Sequence, residues 1–335
     1  MPLPLLEINR LGLYCRAGDF YIDPWEPVPR ALITHAHSDH ARLGCKSYLT
    51  ASTGVPLLRE RIGEDACIES LPFFEKIKIN GCSVTFYPAG HILGSSQIKV
   101  SRNGYSVVFS GDYKREKDGS CEGFVPVSCE EFITESTFAL PVYQWGDPEN
   151  VFSEIADWCN KNALMKRTSI LFAYALGKAQ RLLKGLESYN IPIAVHGSVM
   201  RFIPHYQKAG VLKRTPLLGN KENLDKVRGK GLVIAPISTL GSTWLKKFAP
   251  FSLGGVSGWM QLRGNRRRKG LDKGFVLSDH ADWEGILRTI KDTGASKIGA
   301  THGFTDPLVQ YLNEKGLQAY SLKTEFQSEE SDNEH

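Results

Sequence analysis

At 335 residues the chain can bury a large core and is long enough for two domains, and no stretch approaches the ~20 apolar residues that a membrane span requires. Met1-Pro2-Leu3-Pro4 opens without a basic region before an apolar one, and seven cysteines, an odd number with no Cys-x-x-Cys pair, read as reduced thiols, so a cytoplasmic protein without a disulfide frame or zinc knuckle is expected. The net charge of +5 is uneven: residues 161–270 hold 21 lysines and arginines against three acids, a net +18, leaving 20 against 33, or −13, for the rest.

The predicted elements begin with short strands. Tyr21-Ile22-Asp23-Pro24 closes an early one, and the apolar Ala31-Leu32-Ile33 reads as a buried strand emptying into Thr34-His35-Ala36-His37-Ser38-Asp39-His40. At i and i+2 of an extended segment His35 and His37 share a side, and Asp39 and His40 follow as the chain turns, so the cluster can serve two adjacent metals. A helical stretch runs from Gly54 through Arg61. Two hairpins follow, turning at Asn80-Gly81 and Asn103-Gly104, dipeptides that tolerate positive φ. The first delivers Pro88-Ala89-Gly90-His91 and the second ends in Ser110-Gly111-Asp112.

From Pro148 strand and helix alternate: helical 149–164, apolar 169–175, helical 178–188, apolar 191–195 and 232–237, which implies a parallel sheet with covering helices. Residues 274–277 and 297–300 resume as strands around a helical 282–292, carrying His280 and His302 back to the first domain. The last eleven residues contain five acids and no apolar run after Phe326, and are expected to form a disordered tail.

The ordered set HAHSDH, PAGHILGS and FSGDY resembles the metallo-β-lactamase superfamily. Ile133-Thr134-Glu135-Ser136-Thr137, Leu277-Ser278-Asp279-His280-Ala281-Asp282 and Thr301-His302-Gly303 resemble the three further motifs of its β-CASP nuclease branch, in that branch's order. Tyr174 to Gln180 and Ser257-Gly258-Trp259-Met260 are similar to the bacterial DNA ligase-associated DNA exonucleases, also known as messenger-RNA 3′-end processing factors. The likeness runs from about Leu6 to Thr324. It implies an α/β fold: a metallo-β-lactamase αββα sandwich from residues 1–144 and 269–324, interrupted by a basic α/β β-CASP cap at 145–268, with an acidic tail at 325–335.

Carried over position by position, the resemblance implies that His35, His37, His91 and Asp112 hold one metal and Asp39, His40, Asp112 and His302 the other, with Asp112 bridging and Asp39 also in the catalytic set. Imidazole and carboxylate without thiolate suit two Zn²⁺ ions, with Mn²⁺ as a working substitute. Asp23 resembles the superfamily's first motif, a carboxylate that orients ligand imidazoles. His280, held by Glu135, is the family's candidate for protonating the departing sugar oxygen, with His302 as the alternative acid. Lys178 and Arg181, where an apolar strand turns into a helix, and the run Arg263, Arg266, Arg267, Arg268 and Lys269 are read as contacts to a nucleic-acid backbone. Trp244 and Trp259 read as core rather than as base-stacking residues. The expectation is a metal-dependent DNA exonuclease working in repair beside a DNA ligase, with no membrane and no nucleotide cofactor. The alternatives are an RNA-processing nuclease of the same branch and a nucleic-acid-binding paralogue without catalysis; a small-molecule hydrolase would not need the +18 segment.

Overall fold

The computed structural model describes residues 4–262, 264 and 270–322. The proposed tail at 325–335 and Arg263, Arg266, Arg267, Arg268 and Lys269 lie outside these residues. The chain divides into two compact units: one formed by residues up to 117, 121–143 and the segment from 280 on, the other by 118–120 and 144–279.

The first unit holds two sheets. The smaller has the order β1-β2-β3-β4-β5-β6, from β1 (Glu7–Asn9), β2 (Gly12–Cys15), β3 (Phe20–Ile22), β4 (Ala31–Ile33), β5 (Tyr48–Ala51) and β6 (Ile68–Leu71). A helix, α1 (Val55–Ile62), joins the parallel pair β5 and β6. The larger sheet has the order β19-β18-β11-β10-β9-β8-β7, from β7 (Lys76–Ile79), β8 (Cys82–Pro88), β9 (Ser96–Arg102), β10 (Tyr105–Phe109), β11 (Glu131–Ser136), β18 (Lys297–Gly303) and β19 (Gln318–Ser321). The two expected hairpins are β7–β8 and β9–β10. Their turns place Asn80 and Gly81 at φ 47° and 82°, and Asn103 and Gly104 at 51° and 80°, the geometry that follows the twist of paired strands.

Alternation along the strands sets the layers. Val107 and Phe109 join Ile22, Leu32, Leu49, Phe86 and Ile98 in a core shared by the two sheets. Val108, between them in sequence, points to the other face, where it meets Ile286 and Ile290 of the helix Trp283–Thr293 and Leu308 and Leu312 of the helix Thr305–Glu314. Each such aliphatic side chain, fully buried, stabilises the fold by about 1.5–3 kcal/mol. The helix Thr305–Glu314, with Leu308 and Leu312 buried on one face, is an element beyond those expected from the sequence.

The second unit is built on a wholly parallel sheet of order β14-β13-β15-β12-β16-β17, from β12 (Thr168–Phe172), β13 (Ile193–Val195), β14 (Leu217–Leu218), β15 (Leu232–Ala235), β16 (Phe251–Val256) and β17 (Lys273–Phe275). β12 and β15 are buried along their whole length, as strands covered on both faces must be. Helices α2 (Pro148–Leu164) and α3 (Lys178–Gly185) flank β12 in sequence. Asp147 caps α2 by accepting from the Glu149 amide, with Pro148 at the first helical position. Trp244 is core-facing as expected: its indole donates to the Gly219 carbonyl at 2.7 Å and its ring lies 5.1 Å from Phe248.

The chain leaves this unit later than the sequence suggests. Residues 274–277 read as a strand of the first domain, yet β17 pairs with β16, Val256 opposite Phe275, and Phe275 is fully buried with its ring 5.5 Å from Trp158 of α2. Parallel pairing and an aromatic contact thus hold residues 273–275 in the second unit. Among the described residues, no helix is long and apolar enough to cross a membrane.

Candidate metal centre

The topology of the larger sheet gathers the chemistry at one end. β8 and β10 each run antiparallel to β9, and β10, β11 and β18 run parallel, so β8, β10, β11 and β18 share one direction. His91 follows β8, Asp112 follows β10, Glu135 lies near the end of β11 and His302 near the end of β18, while β4 of the smaller sheet delivers Thr34 to His40. Close backbone approach is needed to pack these ends: a Cβ on Gly90, at φ 79°, would sit 2.4 Å from the Lys114 carbonyl oxygen.

His37 Nδ1 lies 3.1 Å from His35 Nε2 and 3.1 Å from His91 Nε2. Asp112 Oδ2 stands 3.6 Å from His35 Nε2, 3.8 Å from His91 Nε2 and 3.4 Å from His40 Nε2. Asp39 Oδ2 is 3.5 Å from the same His40 nitrogen, and the His302 ring stacks on His40 with centroids 5.5 Å apart. His35, His37, His91 and Asp112 can therefore each offer a ligand atom to a common ion, the four atoms lying within 4.8 Å of one another. Asp112, Glu135 and His280 form a second such group, sharing Asp112 with the first.

The residues fit a cation. His40 Nε2 is buried with no hydrogen-bond partner, although two carboxylates flank it at 3.4 and 3.5 Å. An imidazole lone pair in that setting gains most from a positive ion. Electrostatics show how strongly the site draws positive charge, which a proton on His40 supplies when no metal ion does. Burial would depress the pKa of His40, but Asp112, Asp39 and Asp23 outweigh it and raise that pKa well above the ordinary imidazole range. Asp112, whose burial works the other way, is held well below the usual carboxylate range by His40, His280 and His35. Burial, reinforced by neighbouring imidazoles, lowers the pKa of His35 and of His302, which favours the neutral form that ligates metal.

Asp23, at φ 43°, accepts from the Thr34 amide at 2.8 Å and contacts His40 Nδ1 at 2.7 Å, so one of the expected ligand imidazoles is oriented by it. His280 Nδ1 lies 2.7 Å from Glu135 Oε2, and the other Glu135 oxygen accepts from the Tyr113 amide at 2.7 Å. Both side chains are buried, and desolvation keeps the Glu135 pKa raised despite the imidazole beside it. His280 also lies close to His91, with ring centroids 4.7 Å apart. The cap that Asp282 places on the helix Trp283–Thr293, accepting from the Gly285 amide at 2.8 Å, fixes where this segment turns.

Two of the expected backbone contacts need correction. Lys178 and Arg181 are only 4% and 3% exposed. Lys178 Nζ pairs with Asp279 Oδ2 at 2.9 Å and donates to the Leu277 carbonyl at 3.1 Å. Arg181 pairs with Asp279 Oδ1 at 3.0 Å, with Asp118, and donates to the Ser278 carbonyl. In this structure these cations serve buried carboxylates and backbone carbonyls. Asp118 and Asp279 stand about 60 and 100 residues from these partners, so no local pattern in the sequence marks them as counter-ions. Thr34, directly between β4 and the first histidine, is a further residue of the site, its Oγ1 3.0 Å from His35 Nδ1.

The fold and the donor set define a mixed α/β protein with a cation site lined by imidazole and carboxylate. No family model matches the chain. Over 320 residues, 95% of its length, the chain is 30% identical to an Opitutus terrae protein named probable DNA ligase, of which the match covers 31%. It is 34% identical over 147 residues to the endoribonuclease ysh1 of Emericella nidulans, covering 40% of this chain and 16% of that protein. It is 26% identical over 151 residues to cleavage and polyadenylation specificity factor subunit 3 of Dictyostelium discoideum, covering 44% and 18%. The chain thus spans less than a third of the length of these relatives. A crystal structure of a protein of unknown function from Enterococcus faecalis superposes with a TM-score of 0.59 over 88% of this chain and 79% of that one, at 11% identity, a likeness of fold alone. These likenesses support the resemblance to the β-CASP branch of the metallo-β-lactamase superfamily.

Proposed function

We propose that this chain is a metal-dependent nuclease that hydrolyses the phosphodiester bonds of DNA, an exonuclease acting in repair beside a DNA ligase. The observation that carries the reading is the convergence of His35, His37, His91 and Asp112 on one point, with the Glu135–His280 pair sharing Asp112 at its edge. In this reading the two-sheet unit is the metallo-β-lactamase αββα sandwich and the parallel-sheet unit the β-CASP cap. The +18 segment supports a polyanionic substrate. The DNA assignment rests on the Opitutus terrae relative: a segment similar to this whole chain makes up about a third of a protein named for DNA ligation.

His35, His37, His91 and Asp112 would hold one divalent ion and Asp39, His40, Asp112 and His302 the other, Zn²⁺ or Mn²⁺ by donor chemistry. When bound, the pair supplies Lewis-acid polarisation of a phosphate and a nucleophile at neutral pH. The chain's own part is proton delivery. Glu135 holds His280 through Nδ1, so Nε2 gives the proton to the departing sugar oxygen, and the Tyr113 amide keeps the carboxylate in place. His302, stacked on His40, is the alternative acid.

A second reading, an RNA-processing nuclease, is favoured by the relatives named endoribonuclease and cleavage and polyadenylation specificity factor subunit 3. Matched DNA and RNA oligonucleotides, labelled at either end and incubated with purified protein and Zn²⁺ or Mn²⁺, separate the two. A ladder from one DNA end is expected. Cleavage of RNA alone would move the assignment to the second reading, and no cleavage of either by metal-loaded protein would refute nuclease function.

A further inference from the structure

Asp23 makes no direct hydrogen bond to His35, yet the two are linked through one hydroxyl. Thr34 is fully buried, and its Oγ1 lies 2.6 Å from Asp23 Oδ2 and 3.0 Å from His35 Nδ1. We propose that Thr34 is a positioning residue that fixes the tautomer of His35, carrying the influence of Asp23 to a metal ligand that Asp23 does not reach. The proposal rests on the metal-site reading above.

The assignment follows from counting protons. A hydroxyl has one proton to give, and a carboxylate oxygen only accepts. Asp23 Oδ2 is the nearer partner, so the Thr34 proton points there; an oxygen pair at 2.6 Å with no proton between would repel. The remaining lone pairs of Oγ1 then face His35 Nδ1, which must carry a hydrogen to complete the bond. His35 is left with its lone pair on Nε2, the atom 3.1 Å from His37 Nδ1 and 3.6 Å from Asp112. His40 is set the same way by direct donation from Nδ1 to Asp23, which leaves Nε2 as the buried orphan. One carboxylate thus fixes two ligands, one directly and one through Thr34. The hydroxyl cannot swing away. The Thr34 amide is itself tied to Asp23 at 2.8 Å, and Gly111, at φ 54°, abuts the side chain so closely that a Cβ there would lie 2.8 Å from Thr34 Cβ.

Thr34→Val keeps the shape and removes the hydroxyl, whereas Thr34→Ser keeps the hydroxyl. Two readouts do not depend on turnover: Zn²⁺ affinity by competition with a chelating dye, and histidine tautomers of the metal-free protein from long-range ¹⁵N–¹H correlation spectra. The expected results are a ~10–100-fold loss of affinity for at least one of the two ions in Thr34→Val, as for other groups that orient metal ligands, near-parental affinity in Thr34→Ser, and a parental His35 protonated on Nδ1. Parental affinity in a folded Thr34→Val, failure of a folded Thr34→Ser to bind, or a parental His35 protonated on Nε2 would each overturn the proposal. The tautomer of the parent decides the matter should Thr34→Val not fold. A parent that binds no divalent ion would remove the metal reading itself, a failure distinct from a parent that binds while Thr34→Val binds equally.

Discussion

Replacing Arg181 by methionine should destabilise the parallel-sheet unit while leaving the salt dependence of nucleic-acid binding untouched. The guanidinium is 3% exposed and pairs with two carboxylates, Asp118 and Asp279, whose side chains are 8% and 7% exposed. Methionine fills much of the same volume, so the loss is mainly of charge. Removing one member of a buried ionic network leaves its partners' charges uncompensated, at a cost of about 3–5 kcal/mol. Lys178 still compensates Asp279, which places the cost near the lower end. For a unit of ~140 residues each kcal/mol moves the midpoint by roughly 2–4 °C, so a fall of roughly 6–12 °C is expected in that unit's calorimetric transition. DNA affinity measured against salt concentration on the folded variant should keep the parental slope. An unchanged midpoint together with a slope reduced by about 0.7–0.9 would mean that Arg181 contacts phosphate after all.

Three further outcomes test the chemistry. His37→Ala or Asp112→Ala should abolish hydrolysis and reduce bound metal with the fold intact, and activity within tenfold of the parent after removal of adventitious metal would contradict the shared site. His280→Ala should slow an ordinary phosphodiester by ~10²–10⁴-fold but a nitrophenyl phosphodiester far less, since a phenolate leaves without a proton; Glu135→Gln should show the same selectivity more weakly. Equal losses on both substrates, or a fall in metal content, would reassign His280 to the metal shell or to structure. Neutralising Arg266, Arg267 and Arg268 together should weaken binding of all sequences alike and lower the salt slope by up to about 0.7 per lost single-strand phosphate contact, and an unaltered slope would take that run off the nucleic acid.

Local chemistry made part of this protein legible from its sequence. Asn-Gly turns give both hairpins because few other dipeptides accept two consecutive positive φ values, and Asp147-Pro148 and Asp282 start their helices because an aspartate there accepts from a helix amide the helix itself leaves over. The spacing of His35 and His37 and the apolar strand before them pointed to a metal cluster, since period-two geometry is fixed by the backbone. What lay beyond reach was long-range. Whether residues 273–275 join one sheet or the other depends on pairing with β16 and on the Trp158 contact, neither of which is written in the segment itself. Lys178 and Arg181 look like any cations at a helix start, and only folding brings Asp118 and Asp279 to them. Thr34 looks like an ordinary strand residue until Asp23 and His35 close on either side of its hydroxyl. A sequence specifies which groups are available for hydrogen bonds and ion pairs; burial decides which of them must find a partner, and the tertiary fold decides which partner is found.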